Sequence, residues 1–275
     1  MNINPFVVRN ICKLLPIRRI KFHIAKWLYD YQDSNIKGKK IVINYLNGLK
    51  IRVTTNEIIG WNIFFLGEYE PDINELLRKY LKEGDIVIEA GSNIGSETLL
   101  ISNIIGSKGV VYGFEPFPKV YLELEYNLEI NQITNVKPVE MALGDSNCII
   151  DFNIMDEDYP NQGMSSVIKT GHSQSIRVKQ VILDDYIIDN EIKKVNLIKM
   201  DIQGAEFNLL KGALKTVRTY NPVLILEASN PWSDLNALFQ LLKSLNYDIF
   251  NIDSGMDKLS DIKISDGNWL CLPKK

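Results

Sequence analysis

The chain reads as an α/β protein built on a mostly parallel sheet with helices on both faces. Two observations carry that reading. From residue 85 onward, apolar β-rich runs alternate with helical patterns, and such alternation gives parallel strands joined by crossover helices. Within it lies Val87-Ile88-Glu89-Ala90-Gly91-Ser92-Asn93-Ile94-Gly95, an apolar run that ends in an acid and leads through a glycine turn into a helix. At 275 residues, 45% hydrophobic and 24% charged, the chain suits one such domain with an N-terminal appendage.

Residues 5–15 and 17–31 are predicted as two short helices broken at Pro16. In the second, Ile17, Ile20, Ile24, Trp27 and Tyr31 recur at helical spacing. Residues 1–29 hold six basic side chains and no acid, which leaves 25 basic and 34 acidic residues in the rest. A basic amphipathic segment on an acidic body serves either a peripheral membrane contact through residues 5–31 or packing, on the body or in a homodimer. Lys40–Tyr45 and Lys50–Thr54 flank Asn47-Gly48 and read as a hairpin. The N-terminal unit thus spans residues 1–55 and the main domain 56–275. A helix is expected over 72–82, from Ile73, Leu76, Leu77, Tyr80 and Leu81. Strands follow at 86–90, 110–115, 136–139, 195–200, 222–227 and 247–251, with helices near 94–105, 117–130, 205–217 and 233–245. Residues 146–182 break the alternation and read as an insertion, a hairpin or loop over the site.

The acidic body argues against a nucleic-acid partner bound along a basic face. No apolar run approaches the ~18 residues of a membrane span. Charges at Arg9, Lys13, Arg18 and Arg19 interrupt any signal-peptide core. Cys12, Cys148 and Cys271 show neither metal-ligand spacing nor a disulfide framework, which points to a reducing compartment. The expected location is cytoplasmic, or peripheral to the inner face of the membrane.

In open α/β sheets the ligand lies at the carboxyl ends of the strands, where the strand order reverses. Gly91 and Gly95 allow a tight turn there, and the following helix offers free N–H groups. A dinucleotide loop wants three glycines at G-x-G-x-x-G; here Asn93 occupies the middle position and no third glycine follows. Glu89 would repel a pyrophosphate but suits an ammonium group, which favours S-adenosylmethionine over NAD. The run Val110–Phe114 ends in Glu115, an acid placed to accept both hydroxyls of a ribose.

Ordered pieces from Tyr69 to Glu206 now converge on one family. They are Tyr69-Glu70-Pro71, Glu83-Gly84-Asp85, the glycine turn itself, Phe114-Glu115-Pro116, Ala142-Leu143-Gly144-Asp145, Leu183-Asp184-Asp185-Tyr186, and Leu197-Ile198-Lys199-Met200-Asp201-Ile202-Gln203-Gly204-Ala205-Glu206. In this set the chain resembles the FkbM family of S-adenosylmethionine-dependent methyltransferases. The family usually carries Asp where this chain has Glu89, and Glu where it has Gln203. The resemblance implies the class I methyltransferase fold, a Rossmann-like seven-stranded sheet with one antiparallel strand at its edge. It implies that Gly91, Asn93 and Gly95 line the methionine moiety, that Glu115 binds the ribose, and that Met141 and Ala142 lie near the adenine. It also implies an acceptor hydroxyl on a sugar, in glycan, polysaccharide or glycolipid synthesis.

Methyl transfer from a sulfonium needs a positioned hydroxyl and a group to take its proton. Asp201, at the carboxyl end of strand 195–200, is the leading candidate. Glu227 and Glu206 are the others, and His172 in the insertion is a lesser one. Asp184 and Asp185 read as helix caps. A Mg²⁺ ion shared by Asp201 and Glu227 would rest on two carboxylates, so no metal is assigned. Two other readings stay open: an NAD-dependent oxidoreductase or epimerase with an atypical glycine loop, and a non-catalytic module that keeps the fold.

Overall fold

The computed structural model describes residues 5–15, 17–28, 39–55, 57–155, 173–228 and 234–274. Expectations for Pro16, Tyr31 and His172 lie outside these residues. Two helices open the chain, α1 (Pro5–Leu14) and α2 (Arg18–Leu28). A hairpin follows, β1 (Lys40–Asn44) and β2 (Lys50–Thr54), around a 3₁₀ turn in which Asn47 and Gly48 both take positive φ. Next comes α3 (Ile58–Leu66), which the sequence pattern did not disclose. It is apolar all round, so it shows no periodicity to read. Helix α4 (Pro71–Tyr80) begins with proline in its first turn.

The alternating part then unfolds as expected: β3 (Ile86–Ala90), α5 (Ser96–Ile105), β4 (Val110–Phe114), α6 (Pro118–Glu129) and β5 (Val136–Val139). β6 (Ala142–Gly144) precedes the insertion, which holds β7 (Cys148–Met155) and β8 (Ser173–Ile182); the three form a separate sheet, β8 parallel to β6 and antiparallel to β7. After α7 (Leu183–Asp189) and β9 (Leu197–Met200), the single helix expected over 205–217 is two, α8 (Glu206–Lys211) and α9 (Leu214–Tyr220). The break falls at Gly212, whose carbonyl accepts from the Asp184 N–H at 2.9 Å. Asp184 caps α9 rather than its own helix. Its carboxylate accepts from the backbone N–H groups of Lys215 and Thr216 at 2.9 and 2.7 Å. The chain ends with β10 (Val223–Ala228), α10 (Leu235–Ser244), β11 (Tyr247–Asn251), β12 (Asp257–Lys258) and β13 (Gly267–Pro273).

The central sheet runs β5-β4-β3-β9-β10-β13-β11-β12. The first five are parallel, and β13 pairs antiparallel with both neighbours. Two details differ from the expected seven-stranded sheet. The antiparallel strand β13 lies between β10 and β11 rather than at the edge, and the two-residue β12 adds an eighth strand. β13 follows β11 and β12 in the chain and pairs with β10 on one side and β11 on the other. Order reverses between β3 and β9: the chain builds toward β5, then crosses back to β9 and β10. That is the switch point, and the carboxyl ends of β3, β4 and β9 meet there.

The N-terminal unit is fastened to this body by named contacts. β2 offers its free edge to α6 and the turn after it, where Asn127 of the helix and Asn131 beyond its end accept from the Arg52 and Lys50 N–H groups, each at 2.7 Å. α1 and α2 pack on α3. Trp61, Phe64 and Phe65 of α3 are fully or almost fully buried, and Phe22 stacks edge-on against Trp61 at 5.7 Å. Arg9 is turned inward, donating to the carbonyls of Phe64 (2.9 Å) and Asn44 (3.1 Å).

Trp61→Ala therefore removes the centre of the packing between the N-terminal helices and the body. The expected loss is about 3–5 kcal/mol of unfolding free energy. Urea titration followed by far-UV circular dichroism checks it; a loss below about 1 kcal/mol would contradict a close-packed seam.

Candidate active site

A cavity of about 920 Å³, counted out to its open mouth, lies at the switch point. Ala90, Gly91 and Asn93 form its floor after β3; Glu115, Pro116 and Phe117 form one wall after β4; Asp201, Ile202 and Gln203 form the opposite wall after β9. Met141, Ala142 and Phe152 close one end, and Tyr69 and Ile59 line it as well. Gly91 sits at φ +81, and a Cβ there would collide with the carbonyl oxygen of Asp201. The turn can pass this close to β9 only as glycine.

Glu115 is held from two sides. One carboxylate oxygen accepts from the Asn93 N–H at 3.0 Å and the other from the Phe117 N–H at 2.9 Å. Burial pushes its pKa up to about 7, against the pull of those two donors. Its remaining lone pairs are free for hydroxyl donors in the cavity.

Glu89 is placed differently from Glu115. It is fully buried beneath the turn and does not itself line the cavity. Its Oε2 accepts from Ser92 Oγ (3.1 Å) and Thr98 Oγ1 (2.6 Å), while Oε1 has no hydrogen-bond partner. Burial raises its pKa to about 7, and nearby Lys199 limits the rise. Gly95 likewise stands behind the cavity, as the left-handed N-cap of α5. The carboxylate that reaches the cavity from this side is Glu97, buried, with Oε2 accepting from Ser96 Oγ at 2.6 Å and Oε1 unpartnered. An acid in a helix's first turn is ordinarily a partner of the helix dipole, so nothing in the sequence singled Glu97 out. Tyr69 and Lys199 were legible only as members of the ordered pieces.

Lys199 is 3% exposed. Burial alone would lower its pKa, but the charges of Asp201, Glu97, Glu70 and Glu89 outweigh burial and hold it above the ordinary lysine value. Its Nζ lies 3.7 Å from Asp201 Oδ2.

The three carboxylates expected to serve catalysis are not equivalent. Asp201 lines the cavity. Glu227 lines a smaller neighbouring recess with Glu70 and Asn268, which Asp201 also borders. Gln203 joins them: its amide donates to Asp201 Oδ1 at 3.0 Å and to Glu227 Oε2 at 2.8 Å. Glu206 is committed to the turn between β9 and α8, where its Oε1 accepts from the N–H groups of Ile202 (3.1 Å) and Gly204 (3.2 Å). Burial, then the charge of Asp201, pushes both Glu70 and Glu227 up to about 8. Among the described residues no group of three or more His, Cys, Asp or Glu side chains is arranged to hold a metal ion.

A largely parallel sheet of this order with β13 inverted between β10 and β11, and its cavity at the switch point, defines the Rossmann-like class I methyltransferase fold. Residues 89–249 match the methyltransferase FkbM domain, and the chain belongs to the FkbM methyltransferase family. It is 29% identical over 156 residues to the hexuronic acid methyltransferase AglP of Haloferax volcanii, covering 57% of this chain and 61% of that one. It is 24% identical over 149 residues to the 2-O-methyltransferase NoeI of Sinorhizobium fredii, covering 50% of this chain and 60% of the relative. The chain thus spans about three fifths of the length of these relatives. Among solved structures it is similar to an FkbM methyltransferase of Methylobacillus flagellatus, at 17% identity and a TM-score of 0.49, covering 77% of this chain and 52% of that one.

Five carboxyls, the buried Glu89, Glu115 and Glu206 and the half-buried Glu70 and Glu227, have pKa values raised from 4.5 to about 7 or 8. Over that window the folded state binds more protons than the unfolded one, so stability falls as pH rises from about 4.5 to about 8. Gln203→Glu removes two hydrogen bonds and adds a third charge between Asp201 and Glu227. Its Tm is expected to drop by about 3–6 °C at pH 8, and by less at pH 6, where Glu227 is protonated. Calorimetric scans of both proteins at the two pH values check this; an equal drop at both would contradict the electrostatic origin.

Proposed function

We propose that the protein is an S-adenosylmethionine-dependent O-methyltransferase acting on a sugar hydroxyl, with residues 56–275 as the donor-binding domain. One observation carries the choice of donor. The charged side chains lining the cavity are Glu97, Glu115 and Asp201, with no Lys, Arg or His among the described lining residues. A pyrophosphate would meet only like charge there, which disfavours NAD. A ligand with an ammonium and a sulfonium finds compensation, and the unpartnered Oε1 of Glu97 is a ready acceptor for the ammonium. The acceptor class rests on the relatives, one acting on a hexuronic acid and one a 2-O-methyltransferase.

The residues then divide the work. Gly91 and Asn93 bring backbone close to the methionine part, with Glu89 and Gly95 holding that turn from behind. Glu115 accepts from the ribose hydroxyls. Met141 and Ala142 offer an apolar edge to the adenine. When bound, the donor supplies a methyl group on a sulfonium leaving group, so the protein's task is to present the nucleophile in line. Asp201 accepts the proton of the acceptor hydroxyl as its oxygen bonds to carbon. Gln203 fixes one oxygen of Asp201 and leaves the other toward Lys199, which stabilises its charge. Glu227 acts through Gln203, and Glu206 sets the turn that aims Asp201.

Calorimetric titration with S-adenosylmethionine, S-adenosylhomocysteine and NAD tests the donor. The two adenosyl-sulfur ligands are expected to bind and NAD not; NAD alone would overturn the reading. Glu115→Gln is expected to weaken the donor about tenfold, by about 1.4 kcal/mol. Asp201→Asn should lower turnover on uronic-acid or neutral sugar acceptors roughly 10²–10⁴-fold with the donor Kd almost unchanged. Normal turnover by that variant would remove Asp201 from the chemistry.

Donor binding should also be linked to protons. A cation in the cavity favours the ionised forms of Glu115 and Glu89, both pushed up to about 7. Affinity is therefore expected to rise between pH 6 and pH 8, with protons released on binding. Titrations in two buffers of different ionisation enthalpy read the release directly, and equal apparent enthalpies would argue against it.

A further inference from the structure

We infer that the N-terminal helices form a docking surface for an anionic lipid bilayer. α1 and α2 lie against each other, the Cys12 thiol 3.8 Å from the Lys21 carbonyl oxygen, and both pack on α3 by one face. Val8, Cys12 and Ala25 are buried in that seam. The opposite face of each helix is exposed and largely apolar, with Asn10 and His23 the polar side chains among it. On α1 it carries Val7, Ile11 and Leu14 at i, i+4 and i+7, with Leu14 85% exposed. Leading into α2 and along it come Ile17, Ile20 and Trp27, with Trp27 84% exposed. Seven of the twelve large apolar side chains exposed among the described residues fall between Phe6 and Trp27, so this is one patch and not scatter.

Charge selects the occupant. Lys13, Arg19 and Lys26 are exposed beside the patch, and residues 1–29 contain no acid. A second copy of the chain, joined through a two-fold axis, would set these cations against themselves. An anionic lipid surface instead pairs with them while taking up the apolar side chains, and tryptophan is a favoured residue at that boundary. No helix among the described residues is long and apolar enough to cross a membrane. α3 links the patch to the cavity: α1 and α2 rest on it, and its Ile59 lines the cavity. Docking would thus hold the cavity at a fixed distance from the bilayer.

Sedimentation of the full chain with vesicles of phosphatidylcholine, with and without phosphatidylglycerol, tests the surface. Binding is expected to the anionic vesicles only, and to fall as salt is raised. Leu14→Asp and Trp27→Asp sit at exposed positions and should each weaken it about tenfold or more, with Tm and donor affinity unchanged. Absence of wild-type binding to anionic vesicles would overturn the proposal, as would unaltered binding by both variants. So would a wild-type dimer, seen by analytical ultracentrifugation without vesicle binding, that the same substitutions dissolve. Donor affinity is read on the same samples, so a failed donor site and a failed docking surface give different results.

Discussion

Lys199 is the group on which the site depends. It lies in the middle of a buried parallel strand, in one row across the sheet with Glu89 of β3 and Gly113 of β4. A lone charge in such a place would be strongly destabilising; a paired one is tolerated when its partners are hydrogen-bonded. Asp201, 3.7 Å from the Lys199 Nζ, is that partner and accepts from Gln203, while Glu89 beside it accepts from Ser92 and Thr98, which belong to the glycine turn and to the first helical turn after it. The charge of Lys199 thus acts on strand, turn and helix together at the switch point. Gly113 completes the row by having no side chain: a Cβ there would come within 2.7 Å of Ser92 Oγ.

The same cation sets the sign of the cavity. One lysine stands behind the wall, and the acids in front outnumber it, so the cavity wall carries an excess of acidic groups. Gln203 belongs to the same balance. It takes φ +52, a conformation that costs a non-glycine residue some strain, and its amide spends both N–H bonds on Asp201 and Glu227. A glutamate there, as is usual in the family, would put three carboxylates in contact and require a cation to hold them. The amide does the same work with two hydrogen bonds and keeps Asp201 oriented toward the cavity.

The parts of the fold that sequence made legible are those where burial leaves a periodic mark. Strands buried on both faces read as apolar runs, and β3, β4, β9 and β10 were all recognisable that way. α3 was silent because a helix covered on every side has no polar face. β13 was silent because its topology, an inverted strand between two others, is a property of the whole sheet. In the site, Glu115 and Asp201 were legible because each directly follows a strand at its carboxyl end. Glu97 was not, since a first-turn acid is the commonest of helix residues. Glu89 illustrates a subtler limit: its position one residue before Ala90 puts it under the turn and not in the cavity, and only the packing of Thr98 and Ser92 reveals which side of the strand it takes.

α3 joins the two ends of the molecule's logic. A helix with no polar face must be covered on all sides, and the body covers only one. α1 and α2 supply the rest of the cover, using one face of each. Had their outer faces been polar, the cover would be complete and inert. They carry leucine, isoleucine and tryptophan instead, beside lysine and arginine, so the need to bury α3 is met by helices that themselves present an apolar surface. Because Ile59 at the start of α3 forms part of the cavity wall, whatever fixes those helices also bears on the wall of the site. Surface and cavity are thus two sides of one packed helix, and neither can be altered in its core contacts without moving the other.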